Sequence, residues 1–344
     1  ELKETRIELF VSDGVASFQE QPDTITVTLQ SGKILATDIV ILAIGVAPET
    51  AFLAGSGITL GRRGHIIVND QMKTSQPDIY AVGDAIEVVD FISGQPTAIP
   101  LAGPANKQGR IAADNIAGIS SRFQGSQGTS ILKVFSLTAA STGNNERTLK
   151  QLGINYHVAI VHPNSHATYY PGSQPLTIKL LFDDSGRILG AQSVGLEGVD
   201  KRIDVIATVI RLKGTVSDLT ELELAYAPPY SSAKDPVNMV GFVAENIISG
   251  LCDAFTYEQL ASFSPEETIL LDVRTETEFA NGYLPGALNI PVDELRQRMS
   301  ELDKEKLILV YCQVGLRGYI ASRILSQNGF RVKNMTGGYK SAAP

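Results

Sequence analysis

The part of the chain after residue 254 alternates short apolar runs with helical periodicity, and this alternation is the strongest constraint on its fold. The sequence predicts strands over residues 269–271 and 307–311, and helices over residues 292–302 and 317–328. Strands and helices that alternate in this way are typical of an α/β unit. Residues 255–344 are therefore predicted to form a small α/β domain.

Two boundaries divide the rest of the chain, since a polar stretch covers residues 120–130 and a second break lies near residues 249–254. At roughly 100 to 200 residues per domain, a chain of 344 residues is expected to hold about two or three domains. Between the two boundaries, predicted strands over residues 176–182 and 188–194 accompany an amphipathic helix over residues 201–213. This mixture indicates α+β character.

The first 120 residues combine a predicted β-meander with a strand of the buried type. Apolar and polar residues alternate over residues 7–10 and 24–29, whereas residues 38–45 form a continuous, largely β-branched run. Such a run is typical of a strand that is buried on both faces, as in an α/β sheet. A helix is predicted over residues 105–118.

The composition excludes several classes of function. The net charge is −8 and basic residues are interspersed with acidic ones, so a nucleic acid is not expected as a partner. No apolar stretch approaches the ~18 residues that span a bilayer, so we expect a soluble, cytoplasmic protein without membrane contact. Cys252 and Cys312 are the only cysteines and the histidine spacing suits no metal site, so neither a metal centre nor a disulfide framework is expected.

Residues 69–84 place a short predicted strand directly before Gly83 and Asp84. A carboxylate at the carboxyl end of a strand can hydrogen-bond the polyol chain of a cofactor, although a strand that leads into a capped helix would have the same pattern. The segment resembles the second flavin-contact motif of the pyridine nucleotide-disulfide oxidoreductases, in which the aspartate binds the ribitol of FAD. The run that ends at Gly45 similarly resembles the strand that closes the NADH domain and touches the cofactor.

The resemblance implies that residues 1–50 are the C-terminal part of an NADH-binding domain and residues 51–120 the C-terminal part of a FAD-binding domain. The glycine-rich turns that hold the two dinucleotides are not found, since the nearest candidate, residues 55–60, fails at its sixth position and follows no predicted strand. In the family these turns and the redox cysteine precede the segment that is matched here. We therefore expect this sequence to lack the N-terminal portion.

A loop rich in glycine and proline leads into the helix predicted over residues 105–118. The free backbone amides at the start of a helix suit an anionic or polar ligand, although a plain junction of loop and helix would look similar. The segment resembles the flavin-facing helix of the coenzyme A-disulfide reductase and NADH oxidase branch of the family. This resemblance implies that Ala102 lies near FAD and Asn106 near the substrate.

The loop that begins at Tyr226 displays two tyrosines and a lysine beside prolines. Phenols can donate hydrogen bonds to a thiolate or persulfide and an ammonium group can pair with a phosphate, whereas packing of the tyrosines in a surface loop is the alternative. The loop resembles the dimerisation signature of coenzyme A-disulfide reductases. The resemblance implies a catalytic Tyr226, substrate contacts by Lys234 and Tyr230, and a homodimer. The second tyrosine of the site is either Tyr169 or Tyr170, and we assign Tyr169 a catalytic role and Tyr170 a role in substrate binding.

Cys312 follows the strand predicted over residues 307–311 and starts a loop that leads into a helix. Backbone amides at the start of the helix, together with Arg317, stabilise a thiolate. Four residues separate Cys312 from Arg317, one fewer than in the C-x5-R loop of phosphatases, and the tighter loop suits a sulfane sulfur. A buried, inert cysteine at a strand end is the alternative.

Three further segments support a sulfurtransferase. Residues 271–279 and 282–291 resemble rhodanese signatures, and residues 337–339 stand where the closing turn of that domain belongs. The match departs from the rhodanese pattern at Gly318, where a serine or threonine is common, and this departure leaves the activity of the loop open. Cys252 lies in a linker and is assigned no chemistry.

These motifs together predict a protein of α/β and α+β class. It comprises the end of a FAD- and NAD(P)-binding two-domain α/β region, an α+β dimerisation domain over residues 121–250 and a small α/β rhodanese-like domain over residues 255–344. The predicted activity is the reduction of coenzyme A disulfide, coenzyme A persulfide or polysulfide by NADH or NADPH through FAD, and the fused sulfurtransferase favours the persulfide. An NADH oxidase or peroxidase of the same fold and a non-redox dimeric sulfurtransferase module are the alternatives.

Overall fold

The computed structural model describes residues 2–342, which form two compact units. The first unit is built from the residues up to Val88 and from Ala98–Phe123. The second unit is built from Val89–Thr97 and from the residues after Phe123. Within residues 2–342, no helix is long and apolar enough to cross a membrane.

The first unit begins with a three-stranded antiparallel meander, in which each strand pairs with the next along the chain. The strands of the meander are β1 (Val15–Gln21), β2 (Thr24–Leu29) and β3 (Ile34–Thr37). The first unit continues with β4 (Ile66–Ile67), β5 (Ile86–Val89), whose last residue belongs to the second unit, and helix α1 (Ala102–Ile116). Strand β6 (Pro96–Thr97) lies in the second unit. Strands β4 and β5 pair in parallel, and a small core that includes Met72, Ile86 and Ala112 forms beside them. The predicted helix is confirmed and begins three residues earlier than expected.

Two strand predictions in the first unit are wrong. Residues 38–45 form no strand, and their apolar side chains are exposed, with Ile41 at 86% and Ile44 at 89%. None of the described strands pairs with this run, and an isolated strand would leave its backbone N–H and C=O groups without protein partners. Residues 7–10 also lie outside the meander, whose first strand begins at Val15.

The second unit contains an antiparallel region, residues 130–248, with a five-stranded sheet in the order β7-β8-β11-β10-β9. Its strands are β7 (Ser130–Val134), β8 (Leu137–Gly143), β9 (His157–Val161), β10 (Leu176–Phe182) and β11 (Ile188–Gly195). Its helices are α2 (Glu146–Leu152), α3 (Val199–Arg211), α4 (Val216–Glu221) and α5 (Pro236–Ile248). Ile203, Ile206 and Ile210 repeat at helical spacing and place one side of α3 in the core. The two predicted strands, the amphipathic helix and the α+β character are confirmed.

The second unit also contains a parallel region, residues 254–342, whose five strands pair in the order β12-β16-β15-β13-β14. Its strands are β12 (Ala254–Phe255), β13 (Thr268–Asp272), β14 (Leu288–Asn289), β15 (Leu307–Tyr311) and β16 (Arg331–Met335). Its helices are α6 (Glu276–Ala280), α7 (Leu295–Arg298), α8 (Leu316–Gln327) and α9 (Gly338–Ala342). The predicted helix over residues 292–302 is too long, because Leu302 leaves the helical conformation and enters the core as an extended residue. The α/β character of this region is confirmed.

The antiparallel and parallel regions meet at the end of β9. The N–H of Ile160 donates to Oγ1 of Thr336 at 2.7 Å. The ring of His162 bridges the hydroxyl of Thr177 at 2.8 Å and the hydroxyl of Ser341 at 2.9 Å. Burial lowers the pKa of His162 to about 4. The imidazole is therefore neutral at neutral pH, where one ring nitrogen donates a hydrogen bond and the other accepts one.

Acid should weaken this junction, because the unfolded chain protonates His162 at a higher pH than the folded chain does. The stabilisation is complete above about pH 6.5 and is lost as the pH falls towards about 4. We expect the free energy of unfolding to fall by about 1 to 2 kcal/mol between pH 7 and pH 4.5, and to fall less in His162→Gln. Urea unfolding at the two pH values measures this difference. The control is His157→Gln at a half-exposed histidine of β9, and equal pH dependence in wild type and His162→Gln would contradict the prediction.

Candidate functional site

Asp84 lies beside helix α1 in the first unit. The N–H of Gly83 donates to Oε1 of Gln108 at 2.8 Å, and Gln108 is a buried residue of α1. Gly83 has a φ of 83°, which suits glycine, and Asp84 follows it as an exposed carboxylate. The strand predicted before Gly83 is wrong, since Tyr80 makes only an isolated bridge with Lys73 and strand β5 begins after Asp84.

The first turn of α1 offers backbone amides that no side chain caps. Ala102 and Asn106 are exposed in the first two turns of this helix. A Cβ atom at Gly83 would lie 4.0 Å from Cβ of Ala105, so the turn that carries Asp84 packs against the start of α1. Uncapped N–H groups at the start of a helix carry partial positive charge and can bind a polar or anionic group. This part of the first unit therefore presents an acceptor and several donors together.

Two further residues of the first unit, Gly45 and Gln108, belong to the description of the predicted cofactor site. Gly45 has a φ of 99° and lies outside any strand, and nothing lies within 4 Å of the place where its Cβ would be. Residues 2–342 thus leave open space on the Cβ side of the predicted dinucleotide contact. Gln108 holds Gly83 in position and was missed, because a glutamine within a helix carries no signal until its burial is known.

The tyrosines predicted for a substrate site form a pair in the second unit. The hydroxyl of Tyr169 lies 3.2 Å from the hydroxyl of Tyr226, and the two side chains are exposed. This hydrogen bond raises the pKa of Tyr169. Tyr170 packs edge-on against the ring of His166 instead, with centroids 6.0 Å apart. Tyr169 is therefore the neighbour of Tyr226, while Tyr230 in the same loop is 72% exposed.

A buried arginine joins the two tyrosine-bearing segments. Nη2 of Arg202 donates to Oδ2 of Asp235 at 3.0 Å and to the carbonyl of Ser165 at 2.8 Å. Asp235 also caps helix α5 by accepting from the N–H of Val237 at 2.9 Å. The N–H of Ala167 donates to the carbonyl of Ser231 at 3.1 Å, which ties the segment of Tyr169 to the segment of Tyr226. Arg202 was missed by sequence reasoning, although a charged residue beside the apolar stripe of α3 is a signal.

Lys234 lines a cavity of about 490 Å³ between the antiparallel and parallel regions. The walls are largely apolar and include Met239, Phe242 and Leu316, and Nζ of Lys234 lies 5.5 Å from the centre of the Phe242 ring. Cys252 also lines the cavity, and burial raises the pKa of its thiol to about 11. Because the thiolate is the reactive form, Cys252 is unsuited to act as a nucleophile at neutral pH.

Cys312 lies at the end of β15 in a tightly held loop. Its Sγ accepts a hydrogen bond from the N–H of Gly315 at 3.1 Å, and the residue is 1% exposed. The carbonyl of Cys312 accepts from the N–H of Tyr339 at 2.7 Å. A Cβ atom at Gly338 would lie 2.3 Å from that carbonyl oxygen, so the closing turn at residues 337–339 approaches the loop as only glycine allows. The amide and the turn together fix the position of the thiol.

Arg274 supports the same loop from the neighbouring strand β13. Its guanidinium pairs with the fully buried carboxylate of Asp272 at 2.7 Å and donates to Oε1 of Gln313 at 3.1 Å. It also donates to the carbonyl of Gly282 at 2.7 Å and lies 4.2 Å from the ring centre of Tyr339. Arg274 therefore connects the residue after Cys312 to the sheet.

Arg317, predicted to stabilise the anion of Cys312, makes a two-pronged ion pair. Its Nη1 and Nη2 each donate to one carboxylate oxygen of Glu278 at 2.7 Å. These hydrogen bonds lower the pKa of Glu278 to about 2. The pKa of Arg317 is raised, mainly by Glu278 and to a smaller extent by Cys312. Arg317 thus lies near the thiol while its charge is matched by a carboxylate that sequence reasoning missed.

The glycine that departs from the rhodanese pattern has a structural reason. A Cβ atom at Gly318 would lie 2.2 Å from Oδ1 of Asn334. Nδ2 of Asn334 donates to the carbonyl of Gly315 at 3.2 Å, within the loop of Cys312. The side-chain amide of Asn334 therefore occupies the space that a side chain at position 318 would need, and it supports the loop from β16.

Comparisons with known proteins identify the family. The model of the pyridine nucleotide-disulphide oxidoreductases matches residues 1–109, and the model of the dimerisation domain of the same oxidoreductases matches residues 129–236. The chain belongs to the pyridine nucleotide-disulphide oxidoreductases. Residues 256–343 match the rhodanese-like domain. Both resemblances inferred from the sequence motifs are thereby confirmed, and the rhodanese-like match contains Cys312.

Individual proteins are similar to this chain over different lengths. A coenzyme A disulfide reductase of Staphylococcus aureus is 42% identical over 221 residues, which are 64% of this chain and 50% of that protein. The reduced Bacillus anthracis CoADR-RHD has a TM-score of 0.95 and 50% identity, covering 99% of this chain and 61% of that one. A NAD-dependent persulfide reductase from A. fulgidus has a TM-score of 0.88 and 38% identity, covering 98% and 61%. The chain thus spans about half the length of the curated relatives that it matches.

Introducing the common serine at position 318 should destabilise the rhodanese-like domain. The new Cβ would overlap the amide of Asn334, so we expect Gly318→Ser to lower the free energy of unfolding by about 1 to 3 kcal/mol. The double variant Gly318→Ser with Asn334→Ala should recover part of this loss. Urea unfolding of the four proteins gives the coupling. Gly109→Ser is the matched control, since this glycine lies in α1 with open space around it, and strictly additive effects at positions 318 and 334 would contradict the prediction.

Proposed function

We propose that the chain works in an FAD-dependent reductase that passes electrons from NADH or NADPH to coenzyme A disulfide, coenzyme A persulfide or polysulfide, and that its rhodanese-like domain is a sulfurtransferase. The observation that carries this proposal is the loop of Cys312, whose Sγ accepts a hydrogen bond from the N–H of Gly315. The rhodanese-like match over residues 256–343, which contains this loop, argues against an oxidase or peroxidase. The loop therefore favours a sulfur substrate.

The residues of the first unit fit a flavin. The exposed carboxylate of Asp84, held by Gly83 and Gln108, can accept hydrogen bonds from the hydroxyls of a polyol chain. The uncapped amides at the start of α1, near Ala102, can hold a polar or anionic part of the same group. Bound FAD would supply two-electron transfer from the nicotinamide to a disulfide or persulfide. Gly45 stays a prediction for the dinucleotide contact.

The tyrosine loop supplies the groups that a sulfur anion needs. In the hydrogen bond between Tyr169 and Tyr226 one phenol donates its proton, and the phenol that accepts keeps its own proton free to donate to a substrate. A donated hydrogen bond stabilises the thiolate that leaves when an S–S bond is cleaved. Lys234 can pair with a phosphate of the coenzyme A moiety. Asn106, Tyr170 and Tyr230 stay predictions for substrate contacts.

Sulfur transfer by Cys312 can be written as two balanced displacements. The thiolate attacks the sulfane sulfur of a donor such as thiosulfate, whose S–S bond breaks, and sulfite leaves with the electron pair. Cys312 is then a persulfide, and an acceptor such as cyanide takes the outer sulfur as thiocyanate and returns the thiolate. The N–H of Gly315 stabilises the negative charge in both steps.

Assembly and location complete the proposal. The match to a dimerisation domain over residues 129–236 supports a homodimer. In this arrangement the paired tyrosines of one subunit would serve a redox centre of its partner. The cytoplasmic location expected from the sequence stays a prediction.

The test is sulfur transfer by the purified chain. With an organic persulfide, polysulfide or thiosulfate as donor and cyanide as acceptor, we expect thiocyanate formation that Cys312→Ser lowers by at least about 100-fold, since the nucleophile is lost. Cys252→Ser is the matched control and should keep the wild-type rate, because its thiol is protonated at neutral pH. Thiocyanate is measured together with the persulfide on Cys312 by mass spectrometry.

The outcomes separate the alternatives. Failure with every donor would contradict the sulfurtransferase and return the oxidase or peroxidase to consideration. Sulfur transfer by a purified protein without flavin absorbance would favour the non-redox dimeric sulfurtransferase module.

A further inference from the structure

We propose that Glu278 is the specificity-determining residue of the rhodanese-like domain. By matching the charge of Arg317 beside Cys312, it selects sulfane sulfur carried on an organic thiol and disfavours small dianionic donors such as thiosulfate. The inference rests on the proposed sulfurtransferase and names the substrate class of that site.

Arg317 and Glu278 form a fork-to-fork ion pair. Both terminal nitrogens of Arg317 are engaged by Glu278, each at 2.7 Å, and both side chains are about two-thirds buried. A fork-to-fork contact of this kind uses the donors with which a guanidinium would otherwise hold two oxygens of an anion. Two of the five guanidinium donors of Arg317 and its charge are thus already matched by Glu278, which weakens its attraction for the sulfite end of thiosulfate.

The carboxylate of Glu278 is itself held in a fixed position. Glu278 is the third residue of α6, and its Oε2 accepts from the N–H and the hydroxyl of Thr275 at 3.0 Å each. This reciprocal capping arrangement holds the carboxylate in place. The hydrogen bonds from Arg317, with those from Thr275, keep its pKa near 2, so the pair stays charged at neutral pH. The N-terminal cap of helix α6 therefore holds Glu278 in its ion pair with Arg317.

Two other basic residues, Arg274 and Lys340, contact the loop of Cys312. The second guanidinium, that of Arg274, is matched by the buried carboxylate of Asp272. Lys340 joins the loop through its backbone N–H, which donates to the carbonyl of Gln313 at 3.0 Å. Both guanidinium groups at the loop therefore have a carboxylate of their own. A dianion gains little net attraction here, whereas an organic persulfide carries at most one charge at its sulfur end.

The experiment removes the charge and keeps the helix cap. Glu278→Gln retains an oxygen at the third helical position, where glutamine also completes a capping box, and frees Arg317 from its counter-charge. We expect kcat/KM with thiosulfate to rise about five-fold, mainly through KM, and kcat/KM with an organic persulfide to change less than about two-fold. Glu276→Gln is the matched control, since this exposed residue of the same turn loses the same charge away from Arg317.

A second readout does not depend on sulfur transfer. In a Cys252→Ser background, Cys312 is alkylated with iodoacetate, an anion, and with iodoacetamide, which is neutral. We expect the ratio of the two rates to rise about five-fold in Glu278→Gln and to stay unchanged in Glu276→Gln.

A third variant distinguishes an effect of Glu278 on donor preference from an effect on the stability of helix α6. Thr275→Ala loosens the same helix cap and leaves the pair of Glu278 and Arg317 in place, so it should lower Tm without changing donor preference or the alkylation ratio. An unchanged ratio and an unchanged donor preference in Glu278→Gln would overturn the proposal. If wild type transfers no sulfur from any donor, the proposed function fails, while the alkylation ratio still decides the role of Glu278.

Discussion

A charged group that leaves water needs a partner of opposite charge, and three such pairs hold the loops that carry the candidate site residues. The pairs are Arg202–Asp235, Arg274–Asp272 and Arg317–Glu278. The first holds the tyrosine loop, and the other two hold the loop of Cys312. Removing one partner of a buried pair typically costs about 3 to 5 kcal/mol, so in the first two pairs both partners are required. These loops are consequently fixed on the sheets and helices that bear them.

The sequence predicted the loops themselves but not what holds them. Strand β15 and the loop of Cys312 were recognised because a buried apolar run followed by a glycine-containing turn is a local pattern. The partner of Arg202 lies 33 positions away and that of Arg317 lies 39 positions away, and only the fold brings them together. Arg317 was assigned to Cys312 because it is close in sequence, whereas Glu278 is the group that its two nitrogens contact. The spacing of residues along the sequence identifies the reactive cysteine. The partner of each charged side chain is identified only from the three-dimensional structure.

The strand expected at residues 38–45 marks a different limit. Strand β2 has a weaker apolar pattern, yet it forms because β1 and β3 flank it and satisfy its backbone. Residues 38–45 have the stronger run, but no described strand pairs with them, and their side chains remain exposed. Apolar composition indicates that a segment gains from burial. It carries no information about whether a neighbouring strand is present to provide that burial.

Asn334 couples the loop of Cys312 to the cavity beside Lys234. Its Nδ2 donates to the carbonyl of Gly315, while its Oδ1 has no hydrogen-bond partner among residues 2–342. This oxygen faces Gly318, where an added Cβ atom would lie 2.2 Å from it. The side chain of Asn334 thus lines the cavity and also supports Gly315, whose N–H faces the thiol. A side chain at Gly318 would displace that amide, so the departure from the rhodanese pattern is what permits this coupling.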